Sequence, residues 1–414
     1  MRVKFITLGC KVNQYETQAL MEKMEEAGFE VTKDKADLYI INTCSVTHRA
    51  DAKSKEAVTR AHHENPQAKV ALCGCFVQGN IEKIKRFDVD YLIPQDRKQF
   101  LVEIVKGKEF LPQEKCIWDL KISRFFNHRA FVKVQDGCNN FCSFCKIPYL
   151  RGYSRSRSDN EVIEEIERLL PHHPEIVLCG VNLGLYGEDL RPKKKLSFLI
   201  KKILDIKGLG RLRLSSLEPY LVDDELISLF SDKRLCPHLH LPFQSGDDKV
   251  LTLMNKRERV SDYYRLVENL RARYPDIAIS CDIMVGFPAE DGESFERTVK
   301  FLEDIRPMRM HIFSFSPREK TKFEKFKVKN SLQVKKRVQV LKQKAEKFSY
   351  EYARRFSGKV LYMVAEEREK GYTIGYTENY LRVCARGDRE LGNIYPVVMY
   401  ESKRGEIKAK WYTA

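Results

Sequence analysis

The stretch "DGCNNFCSFCKIP", residues 136–148, decides how this chain is read. Cys138, Cys142 and Cys145 stand at C-x3-C-x2-C spacing, and no fourth cysteine follows nearby to close a four-ligand site. Three thiolates can hold three irons of a cubane cluster and leave the fourth iron to a ligand from outside the protein, much as catalytic metal sites keep one position open. Two readings compete: a zinc site completed by Cys116, His128 or Cys179, and a redox pair at Cys142 and Cys145. Zinc sites usually show paired C-x2-C halves, and a redox C-x-x-C needs no cysteine four residues upstream. The open cluster is therefore preferred.

The triad follows the strand-like run "FVKV", which begins at Phe131 and heads a series of six: "EIVLCG", "RLRLSS", "HLHLPF", "AISCDIMVGF" and "MRMHIFSFS" complete it, mostly with helical segments between. Six β/α units predict a barrel, closed or partly open. Polar residues gather at the strand ends, the face where β/α barrels do chemistry: Asn182, Ser216, Glu218, Gln244, Ser245, Asp282 and Gly286. Arg151, Arg155 and Arg157, just past the triad, are placed to pair a carboxylate or phosphate, or to form loop salt bridges.

Upstream, strand-like "VKFITL", "DLYIIN", "KVALC" and "DYLIP" alternate with helical patterns, which predicts a parallel sheet covered by helices. Asn13 and Thr47 are expected to cap the first two helices. Cys10, Cys44 and Cys75 each fall just past the carboxyl end of a strand, the edge at which open α/β sheets bind ligands. Their thiolates are thus expected to converge despite wide separation in sequence. The opening "MRVKFITLGC" imitates a lipoprotein signal, but its apolar run is far shorter than the ~7 to 15 residues of an h-region, so it reads as a first strand.

From Pro317 the chain turns basic and helical, and after Ser357-Gly358 it becomes short alternating strands. The expected fold class is α/β: an N-terminal parallel α/β domain over residues 1–125, a central partial β/α barrel with a basic C-terminal helix over 126–357, and a small all-β module over 358–414. No run of ~18 apolar residues suggests a membrane span. Twelve cysteines without a signal argue for a reducing compartment, the cytoplasm, and for metal ligation over disulfides.

The formal charge is +16, and residues 318–359 carry fifteen Lys/Arg against four Asp/Glu, or +11 of that excess. Such concentration favours a polyanionic partner. Residues 360–414 contribute nine Lys/Arg against eight Asp/Glu, only +1. The face from Lys335 to Lys347 is therefore expected to share any grip on RNA.

The triad after the first strand of a barrel resembles the radical S-adenosylmethionine superfamily. The blocks "GCNNFCSFCKIPYLRGYSRSR", "EIVLCGVNLGLYG", "LRLSSLEPYLVDDELI", "HLHLPFQSGDD" and "CDIMVGFPAEDGESFERTVKFLE" resemble the methylthiotransferases, and the β module resembles their TRAM domain. The resemblance implies two 4Fe-4S clusters. One sits on Cys138, Cys142 and Cys145 with S-adenosylmethionine at its open iron, and an auxiliary one sits on Cys10, Cys44 and Cys75, matching "LGCKVNQYE", "NTCSV" and "CGCFVQ". Cys73 competes for the third place. Cys75 is preferred because Gly74-Cys75 repeats Gly9-Cys10 and lies at the strand's end. Asn182, Ser216, Glu218 and Gln244 become candidates for cofactor contact, whereas Cys116, Cys179, Cys236, Cys281 and Cys384 read as structural.

The implied partners are tRNA and a one-electron donor protein, with the oligomeric state left open. The implied mechanism is a deoxyadenosyl radical that activates a carbon, which then takes up sulfur and a methyl group. "GCKVNQYE" resembles the enzymes acting on threonylcarbamoyladenosine beside the tRNA anticodon. Isopentenyladenosine enzymes typically carry Gln-Met in place of Lys11-Val12, and the ribosomal-protein enzymes carry a Lys-Asn block followed by Asp-Ser. A non-catalytic Fe-S RNA-binding protein is the alternative of another class.

Overall fold

The first sheet is built from β1 (Arg2–Thr7), β2 (Glu30–Val31), β3 (Leu38–Thr43), β4 (Lys69–Gly74) and β5 (Tyr91–Pro94), all parallel in the order β2-β1-β3-β4-β5. The computed structural model describes residues 1–84, 87–108, 118–326, 331–403 and 406–412. Every residue of β3 is buried, as expected of a parallel strand covered on both faces. Because side chains alternate along a strand, Leu38 and Ile40 pack with Tyr15, Ala19 and Leu20 of the helix Lys11–Glu26. Tyr39 and Ile41 face the other way, onto Ala57, Val58 and Ala61 of the helix His48–Glu64. The register pairs Thr7 with Asn42, Asn42 with Cys73, and Thr43 with Gly74, so β1, β3 and β4 end at a common edge.

Thr47 caps its helix as expected, accepting from the Ala50 N–H. Asn13 does not: the first helix starts at Lys11 with Cys10 at the cap position. The Asn13 amide instead donates to the carbonyls of Leu8 (2.7 Å) and Thr43 (2.9 Å), tying together the loops that leave β1 and β3.

The second part contains six parallel strands, β6 (Arg129–Lys133), β9 (Glu175–Cys179), β10 (Arg211–Leu214), β11 (His238–Gln244), β12 (Ala278–Val285) and β13 (Arg309–Ser314), with a two-stranded ribbon, β7 (Gln135–Asp136) and β8 (Arg155–Ser156), bracketing the triad loop. They form two three-stranded sheets, β6-β9-β10 and β11-β12-β13. Among the described residues only isolated bridges, Leu212 to Leu235 just before β11 and Ser216 to His240 within it, join them across the middle. The barrel is thus open, and one apolar cluster runs from the helix Lys11–Glu26 into its wall.

The helix Ser331–Arg354 sends Leu341 and Phe348 into that cluster and Tyr352 and Ala353 into a separate small core. That second core belongs to β14 (Val360–Glu369), β15 (Tyr372–Thr377), β16 (Arg382–Arg386), β17 (Ile394–Lys403) and β18 (Glu406–Trp411), closed as β14-β15-β16-β18-β17. Closure leaves no unpaired strand edge. Among the described residues, no helix is long and apolar enough to cross a membrane.

Candidate active site

The three N-terminal cysteines leave the shared edge of the first sheet. Gly9 has φ +100°, and a Cβ there would lie 2.6 Å from Cys44 Cβ, so only glycine lets the Cys10 and Cys44 loops meet. Gly74 has φ +101°, and its Cβ would lie 3.0 Å from the Thr43 carbonyl, holding the start of the next helix against the end of β3. The Cys44 thiol is pushed up to about 12, first by burial and then by the neighbouring sulfurs of Cys10 and Cys75. Cys44 is thus near enough to both Cys10 and Cys75 for their charges to act on it. Cys73 lies inside β4, fully buried, and its carbonyl accepts from Thr43 Oγ1 at 2.6 Å. Cys75 instead opens the helix Cys75–Ile84, beyond the strand.

Cys138, Cys142 and Cys145 are each half-buried in the loop after β7. Burial first, and then the Cys138 sulfur, push the Cys145 thiol up to about 12, and burial and both neighbouring sulfurs push Cys142 up too. Thiols raised this far stay protonated at neutral pH on their own, and a bound metal ion would stabilise their thiolate form and release the protons to solvent. Asn182, in the loop just past β9, donates to Cys138 Sγ at 3.8 Å, while its Oδ1 is buried without a partner. Gln244 ends β11 at φ +69°, strained for a non-glycine residue, and its Oε1 is likewise unpartnered. Glu218 differs from these two, because its carboxylate is bound by Lys256. Burial nonetheless raises the Glu218 carboxyl above the ordinary range.

No three His, Cys, Asp or Glu side chains among the described residues gather closely enough for a single ion. A cubane needs no such single-ion cluster, because its thiolates sit on separate irons. Cys116 lies outside the described residues.

A cavity of about 720 Å³ opens inside the broken barrel, within the ~300 to 1,000 Å³ typical of ligand sites. All three parts of the chain line it: Cys10 and Lys11 from the first, Ser216, His240 and Asp282 from the barrel, and Tyr376 and Tyr380 from the β module. Ser216 thus faces this cavity. Cys179, read from sequence as structural, is buried but also lines it, whereas Cys236 and Cys281 are buried in strands or loops away from it.

The β module is fixed at this wall by buried arginines. Arg211 donates to the carbonyls of Tyr362 and Tyr376, and Arg213 to those of Thr377 and Glu378, while Glu175 binds both guanidinium groups. Arg213 and Arg129 also lie over the rings of Tyr380 and Tyr376, at 4.8 and 4.5 Å.

The arginines after the triad hold the first part of the chain to the barrel. Arg151 binds Glu16 at 2.9 Å and Asp136 at 3.1 Å, and Glu16 also accepts from Lys98 (2.7 Å) and Lys133 (2.8 Å). Arg157 binds Glu165, which also accepts from the Tyr15 hydroxyl at 3.0 Å. Both are salt bridges, and Arg155 donates to the Arg151 carbonyl. A further clamp, Arg318 to Asp51 and to the Ser45 carbonyl, steadies the loop that carries Cys44.

The basic helix face is partly consumed within the fold. Arg337 is buried against Glu290, and Lys344 pairs with Glu303, whereas Lys335, Lys336 and Lys342 are exposed. Sequence reading noted Lys11 only as part of the block that marks the subfamily and missed the histidines His238, His240 and His311 and the Tyr376/Tyr380 pair, which meet only through tertiary packing. The one signal for the histidines was their alternation in "HLHLPF", which points His238 and His240 to the same face of β11.

Residues 2–93 match the family described as "Uncharacterized protein family UPF0004", and residues 132–302 match the "Radical SAM superfamily". The chain is 37% identical to the threonylcarbamoyladenosine tRNA methylthiotransferase MtaB of Thermotoga maritima, over 99% of this chain and 96% of that one. The protein of the same name from Bacillus subtilis is 34% identical, over 94% and 91%. A tRNA-2-methylthio-N(6)-dimethylallyladenosine synthase of Thermodesulfovibrio yellowstonii is 32% identical, over 97% and 96%. Among solved structures, the radical S-adenosylmethionine methyltransferase TsrM of Kitasatospora setae matches with TM-score 0.58 and 15% identity, over 78% and 77% of the two chains, a likeness of fold.

Proposed function

We propose, from the premise that the chain belongs to the radical S-adenosylmethionine tRNA methylthiotransferases, that it methylthiolates carbon 2 of threonylcarbamoyladenosine next to the tRNA anticodon. The observation that carries this reading is the three-walled cavity, which presents Cys10 and the barrel interior to one bound base. Cys138, Cys142 and Cys145 would hold one 4Fe-4S cluster, and Cys10, Cys44 and Cys75 the other. Bound there, the clusters and S-adenosylmethionine supply the radical, sulfur and methyl chemistry.

The chain's own residues bind and orient. The unpartnered oxygens of Asn182 and Gln244, beside the triad loop and at the rim, suit the hydroxyl and amino donors of S-adenosylmethionine. Lys256 neutralises Glu218 and lowers the cost of thiolate at Cys142. Glu16, Arg151 and Asp136 fix the first cysteine trio relative to the barrel, with unit boundaries placed near residues 125 and 357. RNA loops present splayed bases to such pockets, and exposed Lys335, Lys336 and Lys342 offer phosphate contacts.

Nucleoside analysis of tRNA from a deletion strain tests the reading. Loss of 2-methylthio-threonylcarbamoyladenosine is expected. Unchanged tRNA, or loss of a different methylthio nucleoside, would overturn it.

A further inference from the structure

The acids of the cavity are already engaged. Asp282 lies 3.2 Å from His240, Glu366 is 2.6 Å from Arg129, and Glu367 is 2.8 Å from Arg382. The cavity's arginines are paired too, Arg213 with Glu175 and Arg129 with Glu366. Lys11 is different, since among the described residues it has no carboxylate within ion-pair distance, yet its charge reaches across the cavity. Burial alone would raise the Tyr380 phenol, but Lys11 first, then Arg129, Arg213 and Arg309, hold it below its ordinary value. Asp282, which also lines the cavity, feels Lys11 too, after its closer histidine partners.

Three further features make this a place for an anion. Lys11 is the first residue of a sixteen-residue helix whose first turn has no acid and whose cap position makes no side-chain hydrogen bond, so the helix's positive end opens beside Cys10. The Oγ of Ser215 and the Nδ1 of His238, both in residues more than nine-tenths buried, line the cavity without partners. A carboxylate offers acceptors to the Lys11 ammonium, the helix N–H groups and the Ser215 hydroxyl, and to His238 Nδ1 in the tautomer that protonates it.

We infer that Lys11 is the specificity-determining residue of the cavity, pairing with a carboxylate at the end of the substituent on the adenine that the enzyme modifies. This deepens the proposed function and rests on it. A neutral, apolar substituent would gain nothing from the Lys11 charge, which gives the partly desolvated cavity a reason to prefer the carboxylate.

The test uses fluorescent anticodon stem-loops carrying adenosine, threonylcarbamoyladenosine, or the methyl ester of the latter, titrated at fixed salt against the wild type, Lys11→Gln and Lys11→Arg. The wild type should prefer the free carboxylate over the ester by about tenfold to a hundredfold. Lys11→Gln should lose that preference while binding the unmodified stem-loop as the wild type does, and Lys11→Arg should keep most of it. In turnover, Lys11→Gln should raise KM for the carboxylate substrate more than it lowers kcat. Equal weakening towards all three RNAs would make Lys11 a phosphate contact or a folding residue, and a retained preference would make it a bystander. Either result overturns the inference while leaving the proposed function standing, provided the reconstituted wild type modifies threonylcarbamoyladenosine. If it does not, the proposed function fails and the inference falls with it.

Discussion

Replacing Glu16 by glutamine probes the joint between the first cysteine trio and the barrel. Glu16 is wholly buried on the helix that starts at Lys11, and it accepts from Lys98 in its own part of the chain and from Lys133 and Arg151 in the barrel. Asp136 is the second carboxylate of the cluster, and all five side chains are at most 4% exposed. Glu16→Gln keeps the shape but leaves three buried cations facing one carboxylate. Breaking a buried pair from one side costs about 3 to 5 kcal/mol, which corresponds to roughly two to three and a half decades in an equilibrium. Hydrogen exchange along the helix Lys11–Glu26 should accelerate by about that factor, because separating this helix from the barrel no longer releases a satisfied carboxylate. Adding Lys98→Met to Glu16→Gln removes one of the three cations and should restore part of the protection, a coupling that a double-mutant cycle reads directly. Exchange within tenfold of the wild type would refute the claim that this network holds the two parts together.

Three other outcomes follow from the same geometry. Cys75→Ala should halve the iron content after anaerobic reconstitution, whereas Cys73→Ala, inside β4, should leave iron unchanged and cost on the order of 1 kcal/mol of stability. The acid limb of stability should be steep between about pH 4 and pH 2, as thermal unfolding across pH would read. Burial raises the Asp136 carboxyl, but Arg151 and then Lys133 hold it at about 2, and Glu16 is held low by the same cations. A carboxyl whose folded value lies below its unfolded value of ~3.9 stabilises the fold above that pH and loses its contribution as pH falls through the folded value. Glu16→Gln should therefore show a shallower acid limb. Charge reversal at Lys335, Lys336 and Lys342 should weaken tRNA binding and reduce its salt slope by roughly one for each phosphate no longer neutralised. An unchanged slope would remove this face from the interface.

That Cys10, Cys44 and Cys75 fall just past strand ends was legible in the sequence because strand ends are marked by local pattern, and Gly9 and Gly74 beside two of them are close-approach points. The fold class was legible for the same reason: buried runs such as "LYIINT" read as parallel strands without knowledge of their neighbours. Asn13 was misread as a cap because its side chain satisfies carbonyls of two other loops, a partner choice that local sequence does not encode. Arg151 and Arg157 stood open between ligand binding and salt bridging; Arg157 finds Glu165 8 residues away, whereas Arg151 binds Asp136 at 15 residues and Glu16 at 135, beyond local reach. Lys11 and Tyr380 approach the same cavity from opposite ends of the chain. No periodicity or spacing could have joined them.

The central claim is that two separate cysteine trios each hold a four-iron cluster. Iron and acid-labile sulfide, measured after anaerobic reconstitution of the full chain, test it directly. About eight irons are expected per wild-type chain and about four in each triple alanine variant, one lacking Cys10, Cys44 and Cys75 and the other lacking Cys138, Cys142 and Cys145. About four irons in the wild type, or about eight retained when either trio is removed, would contradict it.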